Sequence, residues 1–213
     1  MATPVLILGK SGSGKSTSIR NLKEAFIINV AGKPLPFKGS DDDGNVVYRT
    51  DDYHKVQEAL LKATKEKGYD VCVIDDAGYL ITNAFMKNHS TSGKGNQIFD
   101  LYNQLGDDFW GLLYFIQREL PEKAIVYVIM HEDKNEFGEV KPKTIGKLLD
   151  DKVCIEGLFT IVLHAMKNNG SYVFATNSDG LDCAKSPIGM FGEQYIDNDL
   201  AAVTSKIKEY YGL

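Results

Sequence analysis

One glycine-rich stretch constrains the fold of this chain more than any other part of its sequence. The letters "GKSGSGKS" match the pattern G-x-x-x-x-G-K-[ST], with Gly9, Gly14, Lys15 and Ser16 at the fixed positions. A functional loop of this kind requires a buried strand before it and a helix after it. The apolar run Val5–Leu8 precedes the loop, and residues from Ser16 onward are typical of a helix. That helix would carry three apolar side chains near one face: Ile19, Leu22 and Phe26. The run "AFIINV" at 25–30, which includes Phe26, also indicates a second buried strand.

The residue types in the loop suit the binding of phosphate groups. Glycines let the backbone turn and approach a ligand closely, so that successive N–H groups converge on phosphate oxygens. Lys15 can reach the β- and γ-phosphates, and the hydroxyl of Ser16 is placed to ligate Mg²⁺. The sequence therefore predicts a site for ATP and Mg²⁺. Its nucleotide-binding residues are Gly9, Ser11, Gly12, Ser13, Gly14, Lys15, Ser16 and Thr17.

Two adjacent carboxylates follow a second apolar run, "VCVIDD". An acid at the end of such a strand, here Asp75, can hold Mg²⁺ opposite Ser16, as in a Walker B motif. The alternative for Asp75 is the capping of the following helix. Asp76 occupies the position from which a carboxylate can orient the attacking water; the alternative for Asp76 is a role only as a cap or hydrogen-bond acceptor.

A histidine ends a third apolar run, "AIVYVIM", at His131. From a strand end its side chain can sense the γ-phosphate or position water, with Glu132 and Asp133 as weaker candidates; the alternative is a purely structural histidine. Ligands of parallel α/β sheets bind at the carboxyl ends of the strands. We therefore expect Gly9, Asp75 and His131 to lie close together.

Alternating strands and helices over this length predict an α/β fold with a mainly parallel sheet between helical layers. The stretches "LFTIVLHA" and "SYVFATN" predict an antiparallel hairpin near the C-terminus. Residues 1–213 are expected to form a single domain. Gly44-Asn45, between "PLPF" and "VVYR", indicates an irregular hairpin or insertion, and the polar stretch 87–96 is expected to be mobile.

Charge and cysteine content narrow the classes of function. A net charge of −5 argues against wholesale electrostatic wrapping of DNA, although a local basic groove or a ring pore remains compatible with it. The three cysteines are widely spaced and show no zinc pattern. No secretion signal or membrane-spanning stretch is recognisable. We expect a cytoplasmic protein that is not bound to a membrane.

Five stretches together resemble the RecA-like and AAA+ branch of P-loop ATPases, and in particular small phage-encoded RecA-core ATPases of recombination and single-strand annealing. They are "LILGKSGSGKSTS", "YDVCVIDDAGYL", "AIVYVIMHED", "KPKTIGKLLDDKV" and "LDCAKSPIGMF". The resemblance implies a three-layer P-loop NTPase fold with a mainly parallel, RecA-like sheet. It also implies ATP hydrolysis by a homo-oligomer that handles single-stranded DNA with phage recombination or replication proteins, in the host cytoplasm. It assigns a sensor role to His131, and it places Lys185 where a residue can reach a neighbouring subunit's nucleotide. The alternative for Lys185 is a solvent-exposed lysine in the turn before Pro187.

The sequence departs from this family at one point, and two other classes of function remain compatible with it. RecA itself carries a catalytic glutamate after the second strand, whereas "INVAGKP" has no acid, which leaves the base role to Asp76. A nucleotide or small-metabolite kinase would have a P-loop at this place, but such enzymes clamp their substrates with several arginines, and this chain has only Arg20, Arg49 and Arg118. A nucleotide-gated binding module without useful turnover would share every ATP-site residue.

Overall fold

The apolar run before the glycine-rich loop forms a central strand, β1 (Thr3–Gly9), whose inner residues are fully buried. The computed structural model describes residues 1–38, 44–91, 96–146 and 148–213. β1 pairs in parallel with β5 (Ile125–Lys134) on one side and with β7 (Ile161–Asn168) on the other. Parallel strands with both faces covered are continuous apolar runs, which is the pattern these strands show.

The other strands extend the sheet on both sides of β1. Within the described residues they are β2 (Ala25–Asn29), β3 (Val46–Arg49), β4 (Val71–Asp75), β6 (Val140–Pro142), β8 (Ser171–Ala175) and β9 (Tyr195–Asp197). The main sheet has the order β3-β2-β4-β5-β1-β7-β8-β9, parallel from β3 to β7 and antiparallel from β7 onward. The mainly parallel sheet and the C-terminal hairpin predicted from the sequence are confirmed, and β5 lies between β1 and β4.

Helices cover both faces of the sheet, so the fold has three layers. α1 (Tyr53–Leu61), α2 (Gly78–Asn88) and α3 (Asn96–Glu119) pack on one face with Leu6 and Leu8 of β1. A short 3-10 helix (Ser16–Asn21) and α4 (Leu200–Tyr211) pack on the other face with Val5 and Ile7. Full burial of each such side chain contributes about 1.5–3 kcal/mol. Because successive side chains of β1 point to opposite faces of the sheet, this one strand packs against both helical layers.

The helix after the glycine-rich loop is shorter than the sequence predicts. It ends at Asn21, Leu22 is extended (φ −66°, ψ 138°), and Glu24 has a positive φ of 52°. Phe26, expected on the helix, lies instead in β2 and pairs with β4. The placement of Phe26 on the helix was wrong, because pairing within the parallel sheet outweighs the helical spacing of three apolar residues. The buried strand predicted over 25–30 is confirmed as β2.

Two β-pairings differ from the sequence-based expectations. β3 pairs in parallel with β2, and "PLPF" at 34–37 forms no strand, so a hairpin between "PLPF" and "VVYR" was wrong. Residues 39–43 between them lie outside the described residues. β5 continues past His131 to Lys134 and forms an unanticipated antiparallel pair with β6.

Two further stretches discussed above are only partly described. In the polar stretch 87–96, residues 92–95 lie outside the described residues, so its mobility stays a prediction. In the stretch "KPKTIGKLLDDKV", Lys147 is also outside them.

Candidate nucleotide-binding site

The glycine-rich loop is closely packed against neighbouring strands and requires its glycines. A Cβ at Gly9 would lie 2.5 Å from the carbonyl oxygen of Ala165 and would also collide with Ser13 Oγ. Gly14 has a φ of +93°, and a Cβ there would lie 3.0 Å from the ring of Tyr172. Other residues would be strained or excluded at these two positions. The loop is thus a preformed turn at the carboxyl end of β1.

Lys15 is folded back onto its own loop. Its ammonium group donates hydrogen bonds to the carbonyl oxygens of Gly9 (2.8 Å) and Lys10 (2.7 Å), and the residue is only 5% exposed. Burial lowers the pKa of Lys15, although the nearby carboxylates of Asp76 and Asp75 act in the opposite direction. The loop therefore holds a buried amine whose orientation is set by two of its own backbone carbonyl oxygens.

Ser16 and Asp75 come into direct contact. The hydroxyl of Ser16 donates a 2.7 Å hydrogen bond to Oδ1 of Asp75. Asp75 is the last residue of β4 and is 2% exposed. Burial raises its pKa to about 6, with the charge of Asp76 adding to the rise and the bond from Ser16 opposing it. A hydroxyl and a carboxylate at this spacing are hard oxygen ligands of the kind that Mg²⁺ prefers.

Asp76 has an unusual backbone conformation and two basic neighbours. Its φ of +60° lies in the left-handed region, which costs a non-glycine residue about 1 kcal/mol or more. Its Oδ2 lies 2.6 Å from Nζ of Lys33, and its Oδ1 lies 3.5 Å from Nε2 of His131. The side chain of Asp76 is 3% exposed. The strained backbone thus turns a buried carboxylate toward Lys33 and His131.

His131 lies between a cation and an anion of the site. It pairs with Gly9 across the β1–β5 ladder, and its Nδ1 is 3.5 Å from Nζ of Lys15. Burial, followed by the charge of Lys15, lowers the pKa of His131, although Asp76 acts in the opposite direction. The imidazole is therefore neutral at pH 7, and it can accept a hydrogen bond through one nitrogen and donate one through the other.

These groups surround a single cleft of about 230 Å³. It is lined by Ser11, Gly12, Gly14, Lys15, Ser16, Thr17, Lys33, Pro34, Pro36, Asp75, Asp76 and His131. Gly9 and Ser13 belong to the same loop, and Ser13 Oγ is buried with no hydrogen-bond partner in the part of the chain that the structure describes. The expected meeting of Gly9, Asp75 and His131 at one edge of the sheet is confirmed.

Lys185 lies elsewhere. Its backbone forms two hydrogen bonds with Val162 of β7 (2.8 and 2.9 Å), and its side chain is not among those lining the cleft. The structure therefore does not bring Lys185 into the ATP cleft of its own chain.

Lys33 is a site residue that the sequence analysis missed. It follows β2 in "NVAGKPLP", a stretch that matches no motif and was considered only for its lack of an acid. One signal could have identified it: a lysine stands just beyond a strand end, between a glycine and a proline, in the segment where RecA itself carries an acid.

A buried histidine on the other side of β1 was also missed. His164 Nε2 lies 2.7 Å from Glu132 Oε2, and its Nδ1 lies 3.2 Å from Asp182 Oδ2. All three side chains are at most 10% exposed. Burial would lower the pKa of His164, but the hydrogen bonds to Glu132 and Asp182 outweigh it and raise that pKa. A cavity of about 420 Å³ is lined both by residues of the glycine-rich loop and by Glu132 and His164 of this cluster.

The strand order of the sheet and the glycine-rich turn at the carboxyl end of its central strand define the class of protein: these are features of P-loop nucleotide-binding proteins. A family model described as "AAA domain" matches residues 1–187. The chain belongs to the AAA domain family, and this membership supports a general assignment as an ATP-binding P-loop ATPase. Comparison with curated proteins gave no match. Within the described residues, no helix is both long and apolar enough to cross a membrane.

Proposed function

We propose that this protein is a Mg²⁺-dependent ATPase that acts as a homo-oligomer on single-stranded DNA. The observation that carries the ATPase proposal is the 2.7 Å contact between Ser16 and Asp75, because it joins the two predicted metal ligands from separate motifs. The preformed loop, the buried amine of Lys15 and the unpartnered hydroxyl of Ser13 all fit a bound triphosphate. Residues 9–17 would hold the phosphates.

The metal site proposed here consists of Ser16 and Asp75. When bound, Mg²⁺ neutralises charge on the β- and γ-phosphates. Lys15 would turn from the carbonyl oxygens of Gly9 and Lys10 toward those phosphates, because a phosphate oxygen is a stronger partner for an ammonium group than a backbone carbonyl. The buried position of Lys15 strengthens that interaction, since little water competes with it.

Asp76 and His131 are proposed as the residues that handle water. Asp76 would accept a proton from the attacking water, and the neutral imidazole of His131 would orient that water or sense the terminal phosphate. Both side chains line the same cleft as Lys15. The short contact with Lys33 occupies Oδ2 of Asp76 and neutralises part of its charge, so the carboxylate accepts a proton more readily once that contact is released.

The proposed oligomer and its DNA substrate rest on the resemblance to phage RecA-core ATPases, as does a place among phage recombination or replication proteins in the host cytoplasm. The resemblance also gives Lys185 a role toward a neighbouring subunit: its backbone pairs with Val162 of β7, and its side chain does not line the cleft of its own chain. A lysine so placed would serve as a cation reaching the γ-phosphate of a neighbouring subunit. Such a trans cation stabilises charge that develops on the transferred phosphoryl group.

The contact between Lys33 and Asp76 favours a second candidate, a nucleotide-gated binding module. If that ion pair persists when ATP is bound, Asp76 stays paired with Lys33, and ATP binding changes the conformation of the protein without hydrolysis. The two candidates share the ATP site and differ only in hydrolysis.

The test is phosphate release from ATP, measured with and without single-stranded DNA, together with the solution mass in each nucleotide state. The first proposal is supported if an assembly of more than one chain hydrolyses ATP and if single-stranded DNA stimulates that hydrolysis. ATP binding without turnover under either condition supports the binding module. Absence of ATP binding contradicts both.

A further inference from the structure

Lys33 is the second cation of the cleft, and it comes from a segment outside both nucleotide-binding motifs. Its Nζ lies 2.6 Å from Oδ2 of Asp76 and 6.0 Å from the ring centre of Tyr79. It lines the nucleotide cleft and also an adjoining cavity of about 550 Å³. Lys33 therefore lies at the boundary between the nucleotide cleft and the adjoining cavity.

The backbone of Lys33 is held firmly, whereas its side chain is accessible. Asn29, at the end of β2 and 1% exposed, donates from Nδ2 to the carbonyl of Lys33 (2.6 Å) and accepts from the N–H of Gly32 (2.8 Å). Pro34 follows directly and fixes its own φ near −65°. The side chain of Lys33 is 55% exposed. Only the side chain, therefore, has to move for the ammonium group to change partner.

The charges of the cleft make such a change favourable when a triphosphate arrives. Two ammonium groups, on Lys15 and Lys33, face the carboxylates of Asp75 and Asp76. A third phosphate adds negative charge beside these carboxylates, and a mobile cation responds to added negative charge. A lysine ammonium is a point charge on a flexible stem, so it can swing from a carboxylate to a phosphate without a change of backbone.

We propose that Lys33 distinguishes ATP from ADP: its ammonium group pairs with Asp76 in the nucleotide-free protein and transfers to the terminal phosphate of a bound triphosphate. A diphosphate offers no such partner, so Lys33 stays on Asp76 when ADP is bound. The exchange also releases Asp76 only in the triphosphate state. This inference rests on the ATP site proposed above.

The test is the equilibrium affinity of Lys33→Gln for Mg²⁺ with ADP and for Mg²⁺ with a non-hydrolysable ATP analogue, measured by calorimetry. Affinity for the triphosphate should fall roughly tenfold, because one charge-assisted contact is lost, whereas ADP affinity should not change. Lys38→Gln is the matched control, since Lys38 is an exposed lysine of the same loop and does not line the cleft. Its two affinities should equal those of the wild type.

Asp76→Asn tests the exchange from the other side and does not depend on the folding of Lys33→Gln. Without its carboxylate partner Lys33 is free at the outset, so the preference for triphosphate over diphosphate should rise several-fold. The rise should vanish when Lys33→Gln is added. An unchanged preference in both single variants would overturn the inference and leave the ATP site standing. Failure of the wild type to bind either nucleotide would overturn the proposed function as well.

Discussion

The hydroxyl of Ser16 lies 2.7 Å from a carboxylate oxygen of Asp75, although 59 positions separate the two residues in the sequence. Ser16 begins the helix after the glycine-rich loop, and Asp75 ends β4. β5 lies between β1 and β4 in the sheet, so the contact spans a whole strand. The fold thus brings together two oxygen groups that can share one metal ion, and the proposed chemistry depends on this contact.

Replacing Lys15 by alanine should remove most of the affinity for ATP. The substitution deletes the buried amine that the loop holds 2.8 Å from the carbonyl of Gly9, and with it two or more charge-assisted contacts to phosphate. We expect a loss of about 100-fold or more in a calorimetric titration. Circular dichroism should show that the variant keeps its fold. Undiminished affinity in a folded Lys15→Ala protein would remove Lys15 from the site.

Asp76→Asn should separate binding from hydrolysis. The amide cannot accept a proton from water, so phosphate release should fall by about 10²- to 10⁴-fold while ATP still binds. The measurement is single-turnover phosphate release at saturating ATP. Asp107→Asn is a suitable control, because Asp107 is an exposed carboxylate of α3 that does not line the cleft. Equal turnover in wild type and Asp76→Asn would favour the binding module.

Lys185→Ala should bind ATP normally and lose turnover, if Lys185 acts on the nucleotide of a neighbouring subunit. An arginine in that role is worth about 10³- to 10⁵-fold in rate, and a lysine should contribute less. Lys206→Ala, which changes an exposed lysine of α4, is the control. Full activity of Lys185→Ala would exclude a catalytic role for the residue.

A mixture of Lys185→Ala and Lys15→Ala subunits tests whether the lysine acts across an interface. Each variant alone should be inactive, but a mixed interface can pair an intact ATP site with an intact Lys185. Activity should therefore reappear when the two are combined. An inactive mixture with verified co-assembly would show that Lys185 does not act in trans.

His164→Gln should destabilise the protein in a pH-dependent way. The pKa of His164 is raised above 6.5, so its pairing with Glu132 and Asp182 contributes fully below pH 6.5 and is lost as pH rises through the raised value. Despite burial, the pairing with His164 also holds the pKa of Glu132 below 4.5, so the contribution of Glu132 is present above pH 4.5 and is lost in stronger acid. We expect a deficit of about 3 kcal/mol in unfolding free energy between pH 4.5 and 6.5.

Urea unfolding at several pH values measures this deficit. It should shrink as pH rises further, because neutral glutamine resembles neutral histidine. His54→Gln, at an exposed position on α1, should show no comparable deficit at any pH. A deficit that does not vary with pH would mean that His164 contributes by packing rather than by charge.

The parts of the site that could be predicted from the sequence are those carried by short local patterns. Lys15 and Ser16 belong to a fixed motif, and Asp75 and His131 each end an apolar run. Parallel pairing then brings strand ends to one edge, as the register of Gly9 with His131 shows. Local pattern and sheet geometry agree at these positions, so their proximity followed from the sequence.

The parts that could not be predicted depend on contacts between segments without a motif. Lys33 reaches Asp76 only because β2 and β4 are neighbours and Asn29 fixes the loop between them. The pKa of His164 is raised, despite its burial, because Glu132 and Asp182 arrive from two other parts of the chain. The placement of Phe26 on a helix failed for a related reason: helical spacing of a few residues is weak evidence where a strand can pair on both edges.

The most direct test of the central claim is the affinity for ATP with and without Mg²⁺, measured for the wild type and for Asp75→Asn. Asparagine keeps an oxygen for the hydrogen bond from Ser16 but lacks the charge that holds a metal. The account predicts that Mg²⁺ tightens ATP binding to the wild type about tenfold or more, and that Asp75→Asn loses most of this gain while its affinity for metal-free ATP does not fall. An equal gain from Mg²⁺ in both proteins, or no gain in the wild type, would contradict it.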